Sequence, residues 1–347
     1  AIAIAAGFVV GTWLCKRPLP RPADPALIEA DGGKYVLSKD GKRVVEYFVV
    51  GSTRPDARVC LYVAGGVMTG KLISELAGAA ALRLNVRLIA LSIPGWGYGT
   101  IHRRCKYADW PATDVVPILE AEHVGRFVVA GGSLGCPFCM AMAHFFGPQY
   151  VLAMGLRVPF LPKALTDEVG LPAYWATVPD EMVSEALPFG WLAHLVMWPL
   201  FHPMLVGSLD WLVHGATYWK AKRDYPEEFE LMYADMARAC AHYGHKAMMI
   251  NLRPDTILEW GFDPRDIRVS KRVLWYAPDD RDCPPSHGKW LAEHFQATAV
   301  SPGDVTVREY GGYGHLGGAC FEFDKFLEEL MAQCTAAAPR MAMLARG

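Results

Sequence analysis

Short apolar runs alternate with longer stretches of helical spacing along most of the chain. The runs are RVVEYFVV from Arg43, RVCLYVA from Arg58, RLIALSI from Arg87, RFVVAG from Arg126 and YVLAMGL from Tyr150. After a long interval come RVLWYAP from Arg272 and DVTVREY from Asp304. Most are continuously apolar, the pattern of strands covered on both faces, whereas a half-exposed strand alternates apolar and polar positions. Such strands separated by helices predict a mostly parallel central sheet flanked by helices, an α/β fold. The closing stretch FEFDKFLEELMAQ has the spacing of an amphipathic helix.

The alternation breaks between about Pro162 and Pro264. YWATV, GWLAHLVMWPLFHPMLV and LDWLVHGATYWK bring Trp, Met and Leu at helical spacings. The expected organisation is a helical cap over residues 162–268, inserted between two parts of one core, 26–161 and 269–335, with 336–347 as a tail. At the other end, AIAIAAGFVVGTWLC carries no charge before Lys16 and Arg17, and PLPRPADP follows. A spanning helix needs about 20 apolar residues, so this segment is short, yet Trp13 beside a basic pair has the character of an interfacial helix end. Residues 1–17 are expected to anchor the chain to a membrane, with 1–25 as hydrophobic segment and linker. The alternatives are a signal remnant or a buried terminal helix.

Composition narrows the function classes. An apolar fraction of 52% in 347 residues supplies a substantial core. A net charge of −2 without a basic block argues against a nucleic-acid partner. Nine cysteines, an odd number spread along the chain, do not form the framework of a small secreted disulfide protein. They favour a reducing compartment, the cytoplasm if the chain is not anchored. CPFC, Cys136 to Cys139, has thioredoxin-type spacing, but it follows a Gly-x-Ser-x-Gly turn that thioredoxin folds lack. It is read as two thiols on a helix.

That turn carries the candidate chemistry. AGGSLGC, residues 130–136, sets Ser133 between a strand and a helix. Gly131 and Gly135 relieve crowding at a bend that pushes the serine out at the carboxyl edge of a sheet. A serine hydroxyl needs a base to take its proton and an acid to orient that base. His315, in GGYGHLGG, is the base candidate; Asp279, Asp280 and Asp282, in PDDRDCPP, are acid candidates. Their order along the chain, Ser then Asp then His, each just after an expected strand, is the order this turn motif requires. Charge developing on a carbonyl oxygen needs donors aimed at it. LYVAGGVMTG offers the N–H of Gly66, with Val67 as the alternative, to act beside the N–H of Leu134.

Two patterns point elsewhere. HYGH, His242 and His245, has metal-ligand spacing without a carboxylate or cysteine to complete a site, and IPGWGYG, residues 93–99, lacks the third glycine of a dinucleotide turn. No metal and no cofactor are expected.

From about Gly32 to Gln333 the chain resembles the α/β-hydrolase superfamily. GGSLG looks like its nucleophile elbow, YAPDDRDCP like the strand and acid loop written G-x-x-D-x-x-x-P, and GYGHLG like its histidine loop. On that register Ala277 replaces the glycine, Asp280 takes the acid position and Pro284 matches the proline. The family commonly carries His-Gly at the oxyanion turn and Asp-Arg-Pro-Gly-x-Gly-x-Ser after the next strand. Here these read Ala64-Gly65 and Ser92-Ile93-Pro94-Gly95-Trp96-Gly97-Tyr98-Gly99.

The resemblance implies an α/β-hydrolase fold with an inserted helical cap. It also implies a serine nucleophile where dehalogenase-like and epoxide-hydrolase-like members use aspartate. The expected reaction is cleavage of a carboxylic ester by Ser133, His315 and Asp280 through an acyl-enzyme. Trp175, Trp191, Trp198, Trp211, Trp219 and Trp260, with Met197, Met204 and Phe201, would suit a lipophilic ester if they line the cap, and would form its own core otherwise. Three alternatives stay open. GGSLG is similar to the GGSWG of proline iminopeptidase relatives, whose His-Gly-Gly-Pro-Gly is absent here; acyltransferases share the triad; and a hydrolase-like protein can bind a small ligand without turnover.

Overall fold

The computed structural model describes residues 25–102, 105–172, 214–244, 247 and 259–334. Its strands are β1 (Lys34–Leu37), β2 (Val44–Gly51), β3 (Arg58–Val63), β4 (Val86–Leu91), β5 (Phe127–Gly132), β6 (Val151–Arg157), β7 (Arg272–Tyr276) and β8 (Val305–Glu309). They form one sheet in the order β1-β2-β4-β3-β5-β6-β7-β8. β1 pairs antiparallel with β2 and β2 antiparallel with β4; every other pairing is parallel. All seven apolar runs are strands. β1, KYVL, escaped the sequence reading because it is short and mostly exposed, so burial left no continuous apolar signature.

Around the sheet run helices α1 (Pro25–Ala30), α2 (Gly70–Arg83), α3 (Val116–Ala121), α4 (Gly135–Tyr150), α5 (Lys163–Val169), α6 (Ala216–Asp224), α7 (Pro226–Cys240), α8 (Pro285–Ala297), α9 (Gly314–Cys320) and α10 (Phe323–Ala332). β5 and β7 are buried along their whole length, and their side chains divide between two cores. Val128, Ala130, Val273 and Trp275 join Ile73 and Ala77 of α2 and Phe326 and Leu330 of α10. Val129 and Leu274 join Met142 of α4 and Leu291 of α8 on the other face. Burying each large apolar side chain contributes roughly 1.5–3 kcal/mol, which is why the central strands need apolar residues at successive positions.

Local chemistry sets the helix ends near the sheet's carboxyl edge. α2 begins at Thr69, whose side chain accepts the Lys71 N–H, an N-cap for an otherwise orphan donor. α4 starts directly after Ser133 and tolerates Pro137 in its first turn, where no intrahelical donor is lost. Gly147, at φ 64°, and Pro148 break its far end.

Between β6 and β7 the described residues are largely helical. α7 packs on α2, and α6 packs on α9. About half of the span expected to form a cap lies outside the described residues, as do Trp175, Trp191, Trp198, Trp211, Met197, Phe201, Met204 and the tail. Trp260 is buried between Tyr107 and Phe160, with ring centroids 5.7 Å away in each case. It belongs to the core. Trp219 is 56% exposed. Among the described residues no helix is long and apolar enough to cross a membrane, and residues 1–17 lie outside them.

Candidate active site

The carboxyl edge of the parallel strands gathers the sequence candidates. Ser133 follows β5, Asp280 follows β7, His315 follows β8, and Gly66 follows β3. Ser133 takes a φ of 49°, a left-handed conformation that L-residues avoid unless the surroundings impose it. The bend holds because glycines permit backbone contact on both sides. A Cβ on Gly135 would lie 2.4 Å from the Val63 carbonyl oxygen, and one on Gly131 would lie 2.5 Å from that of Gly135. On the facing turn a Cβ on Gly65 would lie 1.9 Å from the Gly132 oxygen. The turn at Ser133 and the turn at Gly65–Gly66 therefore interlock through their main chains.

His315 bridges the other two candidates. Its Nε2 lies 2.9 Å from Ser133 Oγ, and its Nδ1 lies 2.8 Å from Asp280 Oδ2. Asp280 is fixed in turn: its Oδ1 accepts the N–H groups of Asp282 at 2.8 Å and Cys283 at 2.9 Å. Burial disfavours the cationic imidazole, but the adjacent Asp280 carboxylate outweighs it, with Cys283 and Asp282 acting in the same direction. His315 is held well above its ordinary value of 6.5. Cys283 is itself pushed up to about 11 by burial, a neutral thiol near neutrality, so the two acids are the effective cause.

The three acidic candidates have different surroundings. Asp280 contacts the imidazole. Asp279 Oδ2 accepts the N–H groups of Gly312 at 2.9 Å and Gly314 at 3.1 Å, so it ties down the loop that carries His315. Asp282 lies 3.9 Å from His214, in the stretch between β6 and β7.

Gly66 has a φ of 58° and open space where a Cβ would stand. Leu134 is the N-cap of α4, where amides have no intrahelical acceptor and the helix dipole favours negative charge. Helices between β6 and β7 also reach this edge. Asp235 of α7 accepts the Thr69 N–H at 2.6 Å and the Thr69 hydroxyl at 2.5 Å, two residues beyond Val67. Lys220 of α6 stands 4.1 Å from the centroid of Tyr313.

IPGWGYG and CPFC take structural roles. In IPGWGYG the Tyr98 N–H donates to Glu46 Oε2 at 2.9 Å, and a Cβ on Gly97 would lie 2.6 Å from Glu46 Oε1. The turn wraps a protein carboxylate. Ser92, at the family's aspartate position, donates to Glu46 and accepts from the Gly70 N–H, each near 2.9 Å. Burial holds the Cys136 and Cys139 thiols well above their ordinary value, against the thiolate a redox pair needs. His245 lies outside the described residues, and His242 packs on Tyr243.

Asp280, Cys283 and His315 present ligand atoms within 4.8 Å of one another, the one such group found among the described residues. A cation there would have to displace the Nδ1 proton that joins His315 to Asp280. Sequence reading missed Cys283, Asp235 and Arg157 as neighbours of this edge. Arg157 alone left a signal, a charge closing the apolar run VLAMGLR.

No protein-family model and no curated protein sequence matches the chain. Solved structures do. The esterase RhEst1 from Rhodococcus sp. ECU1013 is 16% identical with a TM-score of 0.51, covering 88% of this chain and 100% of its own. The enol-lactonase from Burkholderia xenovorans LB400 is 14% identical with a TM-score of 0.57, covering 86% and 99%. The bromoperoxidase from Bacillus anthracis is 15% identical with a TM-score of 0.57, covering 86% and 98%. The activities named for these three differ, so the likeness speaks to architecture alone. With its sheet order and the strand-turn-helix bend at Ser133, the chain has the α/β-hydrolase fold.

Proposed function

We propose that the protein is a serine hydrolase that cleaves a carboxylic ester. Ser133 attacks the carbonyl carbon while His315 takes its proton. His315 then gives that proton to the departing alkoxide, leaving an acyl-enzyme that water cleaves by the same route. Asp280 holds the imidazole with its Nδ1–H directed away from Ser133, so that Nε2 is the free base. The N–H groups of Leu134 and of Gly66, or Val67, receive the oxyanion. One observation carries the reading: His315 stands within hydrogen-bond distance of Ser133 on one ring nitrogen and of Asp280 on the other. Solved structures of this architecture include ones named as an esterase and as an enol-lactonase, which supports this reading.

In this reading the segment between β6 and β7 is a cap and its apolar composition selects a lipophilic acyl or alkyl group. A fluorophosphonate probe tests the chemistry. Wild type labels and Ser133→Ala does not; a well-folded wild type that fails to label defeats the reading in favour of a ligand-binding protein. Hydrolysis of p-nitrophenyl esters of increasing chain length tests the cap, and a flat profile removes the lipophilic assignment.

A further inference from the structure

Arg157, the last residue of β6, is fully buried. No carboxylate pairs with it among the described residues, and its Nη1 has no hydrogen-bond partner there. An uncompensated charge in such a place is unfavourable. Two kinds of contact offset it. The guanidinium carbon lies 4.5 Å from the centroid of Phe323, 5.2 Å from Phe326 and 5.3 Å from Trp275, a cation among aromatic faces. Nε donates to the Gly318 carbonyl at 2.8 Å, and Nη2 donates to the carbonyls of Gly317, at 3.3 Å, and Phe321.

Those carbonyls close the C-terminal end of α9, the helix that begins at Gly314 and carries His315 in its first turn. A cation suits that end of a helix. The main chain of the same residue faces the other way: the Arg157 carbonyl accepts the Ser133 N–H at 2.9 Å. One residue therefore touches the elbow with its backbone and the histidine helix with its side chain. Its neighbour is strained to suit. Val158 has a φ of 44°, rare for a β-branched residue, and its N–H donates to the Trp275 carbonyl at 2.8 Å. A Cβ on Gly318 would lie 2.3 Å from Val158 Cγ1, so α9 seats directly on this bend.

We propose that Arg157 is a positioning residue that fixes the reach from His315 Nε2 to Ser133 Oγ by clamping α9 against the nucleophile elbow. Its catalytic consequence rests on the serine-hydrolase reading. The clamp requires a fork: three carbonyls at two nitrogens match a planar guanidinium, and a compact ammonium cannot span them.

Two variants and two readouts test this. Arg157→Met keeps an apolar stem among the rings and removes the donors, while Arg157→Lys keeps the charge and loses the fork. Side-chain NMR follows the His315 imidazole titration without requiring turnover. In Arg157→Met the titration moves toward 6.5, the ordinary value, as contact with Asp280 loosens, and kcat falls on the order of 100-fold with KM little changed. Arg157→Lys lies between Arg157→Met and wild type on both measures.

A folded Arg157→Lys whose imidazole titrates as in wild type overturns the proposal, including when Arg157→Met fails to fold. If Arg157→Lys also fails to fold, Arg157 is a determinant of the fold and the positioning proposal is rejected. If wild type shows no labelling and no turnover, the serine-hydrolase reading fails while the titration still decides whether Arg157 sets the placement of His315.

Discussion

Asp279 Oδ2 accepts the N–H of Gly314 at 3.1 Å, so the carboxylate beside the candidate acid holds the residue immediately before His315. Adjacent aspartates thus divide two tasks on one loop, Asp280 on the imidazole and Asp279 on the backbone that carries it. Asp279→Asn retains an oxygen that can accept both N–H groups and stays close to wild type. Asp279→Ala leaves two amides without their acceptor, costs about 1–3 kcal/mol of stability and lowers kcat. Thermal melting and steady-state kinetics of the two variants check this; equal behaviour of Ala and Asn would remove the anchoring role.

On the serine-hydrolase reading the acid limb of kcat/KM reports His315. The base must be neutral, and its folded-state value is raised above 6.5, so activity rises with pH through a midpoint above 6.5. The groups that face the imidazole are Ser133, Asp280, Asp282, Cys283 and, on its own helix, Cys320. Asp280→Asn removes the carboxylate that holds the proton. Its midpoint moves to lower pH, and turnover falls by about 10⁴-fold, the scale of losing the correct tautomer. Asp282→Asn is mild. A pH–rate series on all three proteins decides, and a larger loss in Asp282→Asn would move the acid along the loop.

Three glycines separate strain from collision. Gly135→Ala and Gly65→Ala each drive a methyl into a backbone oxygen, at 2.4 Å and 1.9 Å, and should yield little folded protein. Gly66→Ala meets nothing within 4 Å and suffers only from its φ of 58°, a cost of about 1–2 kcal/mol. It should fold with a lower melting temperature. Soluble yield and melting curves distinguish these outcomes, and a fully stable Gly135→Ala would contradict the interlocked main chains.

Asp235 makes stability depend on pH. Burial is the main cause that lifts its carboxyl to about 7 from 3.8, and nearby Glu46 adds to it, while hydrogen bonds from Thr69 and the charge of Arg238 pull the other way. The folded state binds this proton more tightly than the unfolded chain. Its contribution is therefore full below about pH 4 and lost as pH rises toward 7. Asp235→Asn carries no titrating proton and should flatten that part of the profile. Urea unfolding at a series of pH values tests this; identical slopes for the two proteins would refute it.

The strands were legible because burial on both faces demands apolar residues at successive positions, and VVA before Ser133 or VLWY before Asp280 could satisfy little else. The turn at Ser133 was legible too, since its glycines answer to steric contacts within a few residues and one facing turn. Asp280 and His315 could be named from their order after strands, but the sequence left three aspartates open. The oxygen that meets Nδ1 depends on how a loop after β7 meets a loop after β8. Arg157 shows the same limit more sharply. Its place in the chain marks only a charge at a strand end, while its task depends on the elbow after β5 and the carbonyls of α9, far away in sequence.

By itself the sequence determined the layered α/β architecture and the order along the chain of Ser133, the cluster Asp279, Asp280 and Asp282, and His315, because hydrophobic periodicity and turn sterics act locally. The tertiary structure alone decided which carboxylate faces the imidazole, which one anchors its loop, and what a buried arginine holds. Those outcomes depend on distances between distant segments, set when strands that are remote along the chain pack side by side.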